Sequence, residues 1–258
     1  MRILLTNDDG IHAPGLKSLE KIARAISDDV WIVAPETDQS GASHSLTLND
    51  PLRLRMVSDR HYAVKGTPTD CVIMALRYLM KGGEKPDLVL SGVNRGQNIA
   101  DDTTYSGTVA GAMEAALLGY RAIALSQAYG FGTTRNSIRW HTAETLGPGI
   151  VRALVDLPFP KDSLINVNFP DCEPGDAAGA EVTRQGKRDQ DTLAVDERLD
   201  GRENPYFWLT FKKKDQELVE GTDIAALTAN RVSITPVSLD LTHESFLVDL
   251  KSRSFEIG

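Results

Sequence analysis

At 258 residues the chain is long enough to bury a sizeable core, as one large domain or as a domain with an extension. Its 41% hydrophobic and 25% charged residues are those of an ordinary globular protein. A formal net charge of -8 argues against a broad basic surface for a nucleic-acid polymer. No apolar run approaches the length of a membrane span, and the amino-terminal residues lack the pattern of a signal peptide, so the expectation is a cytoplasmic protein with no membrane partner. Cys71 and Cys172 lie far apart without motif spacing and are expected to be reduced thiols, Cys71 in the core.

The first half of the chain alternates two kinds of pattern. Near-continuous apolar runs at residues 2–6 (RILLT), 30–34 (VWIVA), 87–90 (DLVL) and 121–125 (RAIAL) read as strands buried on both faces. Between them Leu16, Leu19, Ile22, Ala23 and Ile26 follow helical spacing behind Pro14 and Gly15. A second stripe, Cys71, Met74, Ala75, Tyr78 and Leu79, is entered through Thr67, Pro68, Thr69 and Asp70, and a third helix spans residues 108–119 with Gly119 at its end. Residues 138–157 read as another helix, interrupted at Gly147, Pro148 and Gly149, and residues 164–168 as a strand that stops at Pro170.

The remainder is less regular. Residues 172–204 are rich in Gly, Asp and Arg and are expected to form a long loop or an extended hairpin. Residues 206–211 (YFWLTF) and 232–235 (VSIT) are strand candidates, residues 223–230 are helical, and Leu241 to Glu244 open a short terminal helix. Strand and helix in alternation predict an α/β fold: a Rossmann-like, doubly wound, mostly parallel sheet with helices on both faces. The expected division is an α/β catalytic core at residues 1–172 and a C-terminal extension at residues 173–258, partly packed on the core.

In such sheets ligands bind outside the carboxyl ends of the strands. Those ends carry Asn7, Asp8, Asp9 and Gly10, then residues 35–45 (PETDQSGASHS), then residues 91–98 (SGVNRGQN). They are rich in oxygen donors and glycine, with no Cys and one His, a set that suits a hard cation such as Mg²⁺ or Mn²⁺. Asn, Asp and Gly are also the residues of an ordinary turn. Ser106, Gly107 and Thr108 before a small-residue helix fit an anion site, though Ser or Thr there is equally a plain helix cap. His44 is a candidate for proton transfer and equally a structural histidine. No GxxxxGK[ST] occurs, which excludes a P-loop enzyme. The third strand ends in Ser91 and Gly92 rather than the Asp of a receiver domain, and NDDG is not the DxDGT of haloacid-dehalogenase-type phosphatases.

The motifs together resemble the SurE (survival protein E) nucleotidases. The likeness rests on TNDDG at 6–10, APETDQSGASHSLT at 34–47, GTPTDC at 66–71, SGVNRGQN at 91–98, YSGTVAGAMEAA at 105–116 and VSITPVSLDLT at 232–242, and is loose at 175–204. The resemblance implies a 5′-nucleotidase, a phosphomonoesterase that hydrolyses nucleoside 5′-monophosphates, and 3′ esters as a further expectation, by metal-activated water. It places one divalent cation per subunit, Mg²⁺ or Mn²⁺, on Asp8, Asp9, Ser40 and Asn94. Asp8 and Asp9 are the catalytic pair, and Asn94, Ser106, Gly107 and Thr108 contact phosphate. It also implies a homodimer or homotetramer built by exchange of C-terminal elements, with a β-hairpin in the extension. The alternative from another class is a non-catalytic domain that senses a nucleotide or phosphate.

Overall fold

The computed structural model describes residues 1–83, 85–130, 137–189, 193–211 and 217–255. The first strand, β1 (Arg2–Thr6), is followed by α1 (Pro14–Arg24), β2 (Asp29–Pro35), β3 (Arg53–Ser58), β4 (His61–Lys65), α2 (Pro68–Met74), β5 (Leu88–Arg95), α3 (Gly107–Leu117), β6 (Ala122–Gln127), α4 (Trp140–Val155) and β7 (Ser163–Phe169). After them come β8 (Ala180–Val182), β9 (Leu193–Leu199), β10 (Pro205–Phe211), α5 (Asp223–Thr228), β11 (Val232–Ser238) and α6 (Glu244–Lys251).

Nine strands form one sheet in the order β3-β4-β2-β1-β5-β6-β7-β11-β8. The central run is parallel, while β3 against β4 and β11 against β7 are antiparallel. Alternation along β1 explains the layering. Ile3 and Leu5 face a core shared with α1 and α4, and Leu4 faces a second core shared with α2 and α3. The central strands β1, β5 and β6 are apolar on both sides because each side is covered. The doubly wound α/β class expected from the alternation is therefore the one observed, with an antiparallel hairpin β9–β10 in the C-terminal segment.

Chain direction fixes the crevice. From β1 the chain goes out to β2, then returns past β1 to lay β5 on its other side. That reversal leaves a gap above the carboxyl ends of β1 and β5, the position at which open α/β sheets bind ligands.

Several expectations are corrected. Residues 138–157 are not broken at Pro148: α4 runs through it, with Gly147 buried so closely against α1 that a Cβ there would sit 2.8 Å from Ile22 Cδ1. Tertiary packing outweighs the hydrogen bond that proline cannot donate. The third strand runs on to Arg95 rather than stopping at Leu90, because Gly92, at φ +139°, lets the ladder shift between Ser91 and Asn94 and resume against Ser126 and Gln127. A Cβ on Gly92 would lie 2.2 Å from Leu125 O. The edge strand β3, its neighbour β4 and the short edge strand β8 have no counterpart in the sequence reading. The aromatic run at 206–211 includes Phe211, whose side chain lies outside the described residues.

Candidate active site

The stretch Thr6-Asn7-Asp8-Asp9-Gly10 is a turn, and the turn aims the carboxylates. Asn7 Nδ2 donates to Gly10 O at 3.0 Å, Ala13 N donates back to Gly10 O at 3.0 Å, and Ile11 N donates to Pro35 O at 2.7 Å. Gly10 adopts φ +100° and packs against Thr37, so the exit from β1 is clamped to the exit from β2. Asp8 is thereby buried at 4% exposure, with its backbone O accepting from Gln39 N at 2.8 Å.

The two carboxylates then reach different partners. The Thr108 hydroxyl donates to Asp8 Oδ1, and a Cβ on Gly107 would lie 2.9 Å from Asp8 Oδ2. Asp9 Oδ2 accepts from Arg95 N at 3.2 Å, across the crevice on β5. The acidic pair thus spans the gap between β1, β5 and the N-terminus of α3. Ser106 caps that helix, accepting from Val109 N at 3.0 Å. Helix α3 comes this close because it presents glycine: at Gly107 to Asp8, and at Gly111 to Ser91 and Thr6.

Burial pushes the Asp8 carboxyl up from its ordinary value to about 6; the Thr108 hydroxyl opposes this, and the charges of Asp9 and Asp38 add to it. A displacement of that size disfavours the ionised form by roughly 3 kcal/mol. Such a site gains from a bound cation. Among the described residues no group of three His, Cys, Asp or Glu converges, so any ion held here rests on two carboxylates and neutral oxygens. That donor set fits a hard cation and not zinc. Asn94, at the end of β5, turns its Nδ2 to Gly96 O at 2.9 Å, which leaves Oδ1 as its acceptor. Ser40 is exposed on the β2 exit loop, its N bonded to Asp38 Oδ1 at 2.8 Å. Asn7 Oδ1 and Ser91 Oγ, buried at the same strand ends, have no hydrogen-bond partner among the described residues.

Of the residues expected at the site, Asp8, Gly107 and Thr108 meet directly, Asp9 reaches Arg95 N on β5, and Ser106 caps the same helix. Ser40, on the loop after β2, follows Gln39, whose N bonds Asp8 O, and Asn94, at the end of β5, precedes Arg95, whose N bonds Asp9 Oδ2. His44 points elsewhere: its Nε2 is 3.0 Å from Glu114 Oε2 on α3.

Three further features escaped the sequence reading. Asp70 is buried and accepts from Thr47 N at 3.1 Å, Thr47 Oγ1 at 2.6 Å and Thr67 N at 2.8 Å, closing a capping box on α2 and fastening the loop after β2. Asn98 sits in a buried amide cluster: its N donates to Asn168 Oδ1 at 2.8 Å, its Nδ2 to Ser126 Oγ at 2.9 Å, and its O accepts from Asn166 Nδ2 at 2.7 Å. The signal available was the two-residue spacing of Asn166 and Asn168, which puts two amides on one face of β7. Asp223 accepts from Ala100 N at 2.9 Å and from Gly186 N at 2.8 Å, and Arg188 pairs with Asp102. These contacts lay residues 184–188 against the segment that leads into Ser106.

Fold and site define the class: a doubly wound α/β protein whose strand-end carboxylate pair faces a glycine-opened helix N-terminus. Comparison with known proteins then specifies it. The model of the family described as survival protein SurE matches residues 3–192. A protein of Methylobacterium nodulans named 5'-nucleotidase SurE is 62% identical over 247 residues, covering 96% of this chain and 97% of its own. One of Rhodopseudomonas palustris with the same name is 60% identical over 248 residues, with 95% and 96% covered. The crystal structure of the SurE protein from Aquifex aeolicus superposes with a TM-score of 0.84 at 37% identity, covering 98% of this chain and 99% of that one. This chain belongs to the SurE family.

Proposed function

We propose that the chain is a divalent-cation-dependent nucleotidase that removes the phosphoryl group from nucleoside 5′-monophosphates, with 3′ esters as further substrates. The observation that carries this reading is the contact between Asp8 and Gly107. It puts a buried carboxylate against the N-terminus of α3, where the free N–H groups and helix dipole favour an anion. A cation held by the acidic pair would reconcile a buried carboxylate with a bound anion. Relatives about 60% identical over nearly the full length carry the name 5'-nucleotidase, which supplies the nucleotide.

In this reading Asp8 and Asp9 hold the cation, with Ser40 on one flank and Asn94 on the other. When bound, the cation would supply charge neutralisation on the phosphoryl oxygens and a water of lowered pKa. The backbone N–H groups of Gly107 and Thr108 at the start of α3, with the Ser106 hydroxyl, would bind and orient the phosphate. Thr108 serves twice, its backbone N–H toward the phosphate and its hydroxyl, whose one proton goes to Asp8 Oδ1, holding that carboxylate in place. We read the cation as Mg²⁺ or Mn²⁺, the location as cytoplasmic, and the working form as a homodimer or homotetramer. No described helix is long and apolar enough to cross a membrane.

The test is release of inorganic phosphate from AMP and GMP, with and without Mg²⁺ or Mn²⁺, by wild type and Asp8→Asn. Cation-dependent release that Asp8→Asn loses supports the reading. Nucleotide binding with no release under any cation leaves a sensing domain instead.

A further inference from the structure

The segment between β2 and β3 is long and irregular, yet it is tied down along its length. At its start Gln39 N donates to Asp8 O at 2.8 Å. At its far end Thr67 Oγ1 donates to Ser45 O at 2.8 Å, and Thr47 holds Asp70 through both N and Oγ1. In the middle are two anchors of a different kind. Ser43, at φ +54°, donates its hydroxyl to Thr104 O at 2.7 Å, and His44 Nε2 meets Glu114 Oε2 at 3.0 Å. Thr104 precedes the Ser106 cap, and Glu114 lies two turns into α3. The segment therefore crosses α3 as a strap with Ser40 at its inner end.

The chemistry of the middle anchor is specific. Glu114 is held with its side chain only 12% exposed, whereas the His44 side chain is 31% exposed. A half-covered imidazole on a mostly covered carboxylate is a tether that resists solvent competition better than a surface pair. Ser43 takes up a left-handed backbone that costs about 1 kcal/mol or more for a non-glycine residue, so the tether holds the strap in a conformation it would otherwise leave.

We propose that His44 is a positioning residue: through Glu114 it fastens the strap to α3 and so holds Ser40 beside the Asp8 and Asp9 carboxylates. This rests on the reading of those residues as the cation site. It replaces proton transfer as the role of His44, whose Nε2 is occupied by Glu114. Glu114 is the other half of the same device, and the two act as one unit.

The test measures Mn²⁺ binding by calorimetry and hydrogen exchange at residues 40–47 in the full-length protein, for wild type, His44→Ala, Glu114→Ala, the double variant and His44→Gln. Expected are an about fivefold weaker Mn²⁺ affinity in each alanine variant, no additional loss in the double variant, and faster exchange confined to the strap. His44→Gln keeps a donor toward Glu114 without an imidazole's proton chemistry, and is expected to restore both readouts and most of the activity. Affinity and exchange unchanged in His44→Ala overturn the proposal. So does a His44→Gln variant that keeps Mn²⁺ affinity yet loses activity, which returns His44 to proton transfer. If wild type binds no Mn²⁺, the cation reading fails by itself, and exchange at 40–47 still decides whether His44 fastens the strap.

Discussion

A Cβ on Gly107 would lie 2.8 Å from Asp8 Cβ and 2.9 Å from Asp8 Oδ2, so the helix start and the buried carboxylate touch with no room for a methyl group. Gly107 has ordinary helical backbone, and the requirement for glycine is one of space alone. Gly107→Ala must push Asp8 out of line or lift the start of α3. We expect loss of most phosphatase activity, roughly 100-fold or more, from misplacing reacting groups by about an ångström. Stability should fall by only about 1–3 kcal/mol, the usual cost of overpacking. Steady-state kinetics beside a urea titration checks both, and an active Gly107→Ala enzyme would remove this contact from the mechanism.

The Asp8 carboxyl predicts how the cation-free protein responds to pH. Its value rises from 3.8 unfolded to about 6 folded, so the folded state holds the proton more tightly than the unfolded chain. The stabilising effect of the protonated form is complete below about 3.8 and is lost as pH rises through about 6. At pH 7 without metal, Asp8→Asn should therefore be more stable than wild type, by about 1–3 kcal/mol, and the difference should shrink as pH falls toward 4. With cation present the order reverses, because binding needs the ionised carboxylate. Mn²⁺ affinity should fall as pH drops below about 6, with a proton released on binding. Thermal unfolding with and without chelator across pH 4–8 tests both halves. Equal stability of the two proteins at pH 7 without metal would sink the idea that Asp8 is strained by its burial.

The parts of this molecule that were legible in the sequence are those where local pattern and tertiary environment agree. RILLT and VWIVA are apolar without alternation because both faces of β1 and β2 are covered, so the strands announced themselves. TNDDG and SGT were visible because turn and cap chemistry use a small set of residues. The edge strand β3 was not, since RLRMVS lies mostly in solvent and its charged residues carry no burial signal. The passage of α4 through Pro148 was hidden for the opposite reason: only the packing of Gly147 on Ile22 justifies it, and that contact is 125 residues distant in sequence. His44 illustrates the limit at the site. Its residue type suggested chemistry, but its partner Glu114 lies on a helix that no local pattern connects to it.

Asp70 gives a third prediction. Its carboxylate serves three donors at once, two from Thr47 and one from the α2 cap, in a buried position. Asp70→Ala should cost roughly 2–3 kcal/mol through lost charge-assisted bonds and an uncapped helix. Because the same bonds hold the far end of the strap, cation affinity should weaken as well, while Thr47→Val should reproduce the second effect with less of the first. Denaturant unfolding and Mn²⁺ calorimetry on both variants make the comparison. An Asp70→Ala protein with wild-type stability would show that the capping box carries no weight.

The hairpin β9–β10 leads to the last prediction. Its strands pair in register from Pro205 against Leu199 to Phe211 against Leu193, and among the described residues they pair with no strand of the main sheet. A lone two-stranded ribbon is marginal in water. This one also leaves apolar groups open on both faces, with Trp208 56% and Leu209 72% exposed, next to Phe207 and Val195. Adjacent residues on a strand point to opposite sides, so a single neighbouring surface cannot cover both Trp208 and Leu209. A partner that wraps the ribbon can, and a second copy of the chain offers the same ribbon in return. We therefore expect a homodimer, or a dimer of such dimers, at micromolar concentration. The double substitution Trp208→Arg and Leu209→Arg should shift the particle toward monomer while the main sheet stays folded, since neither side chain belongs to its two cores. Light scattering of both proteins, with circular dichroism as the check on folding, decides the matter: a monomeric wild type, or a double variant with unchanged mass, would end this assignment.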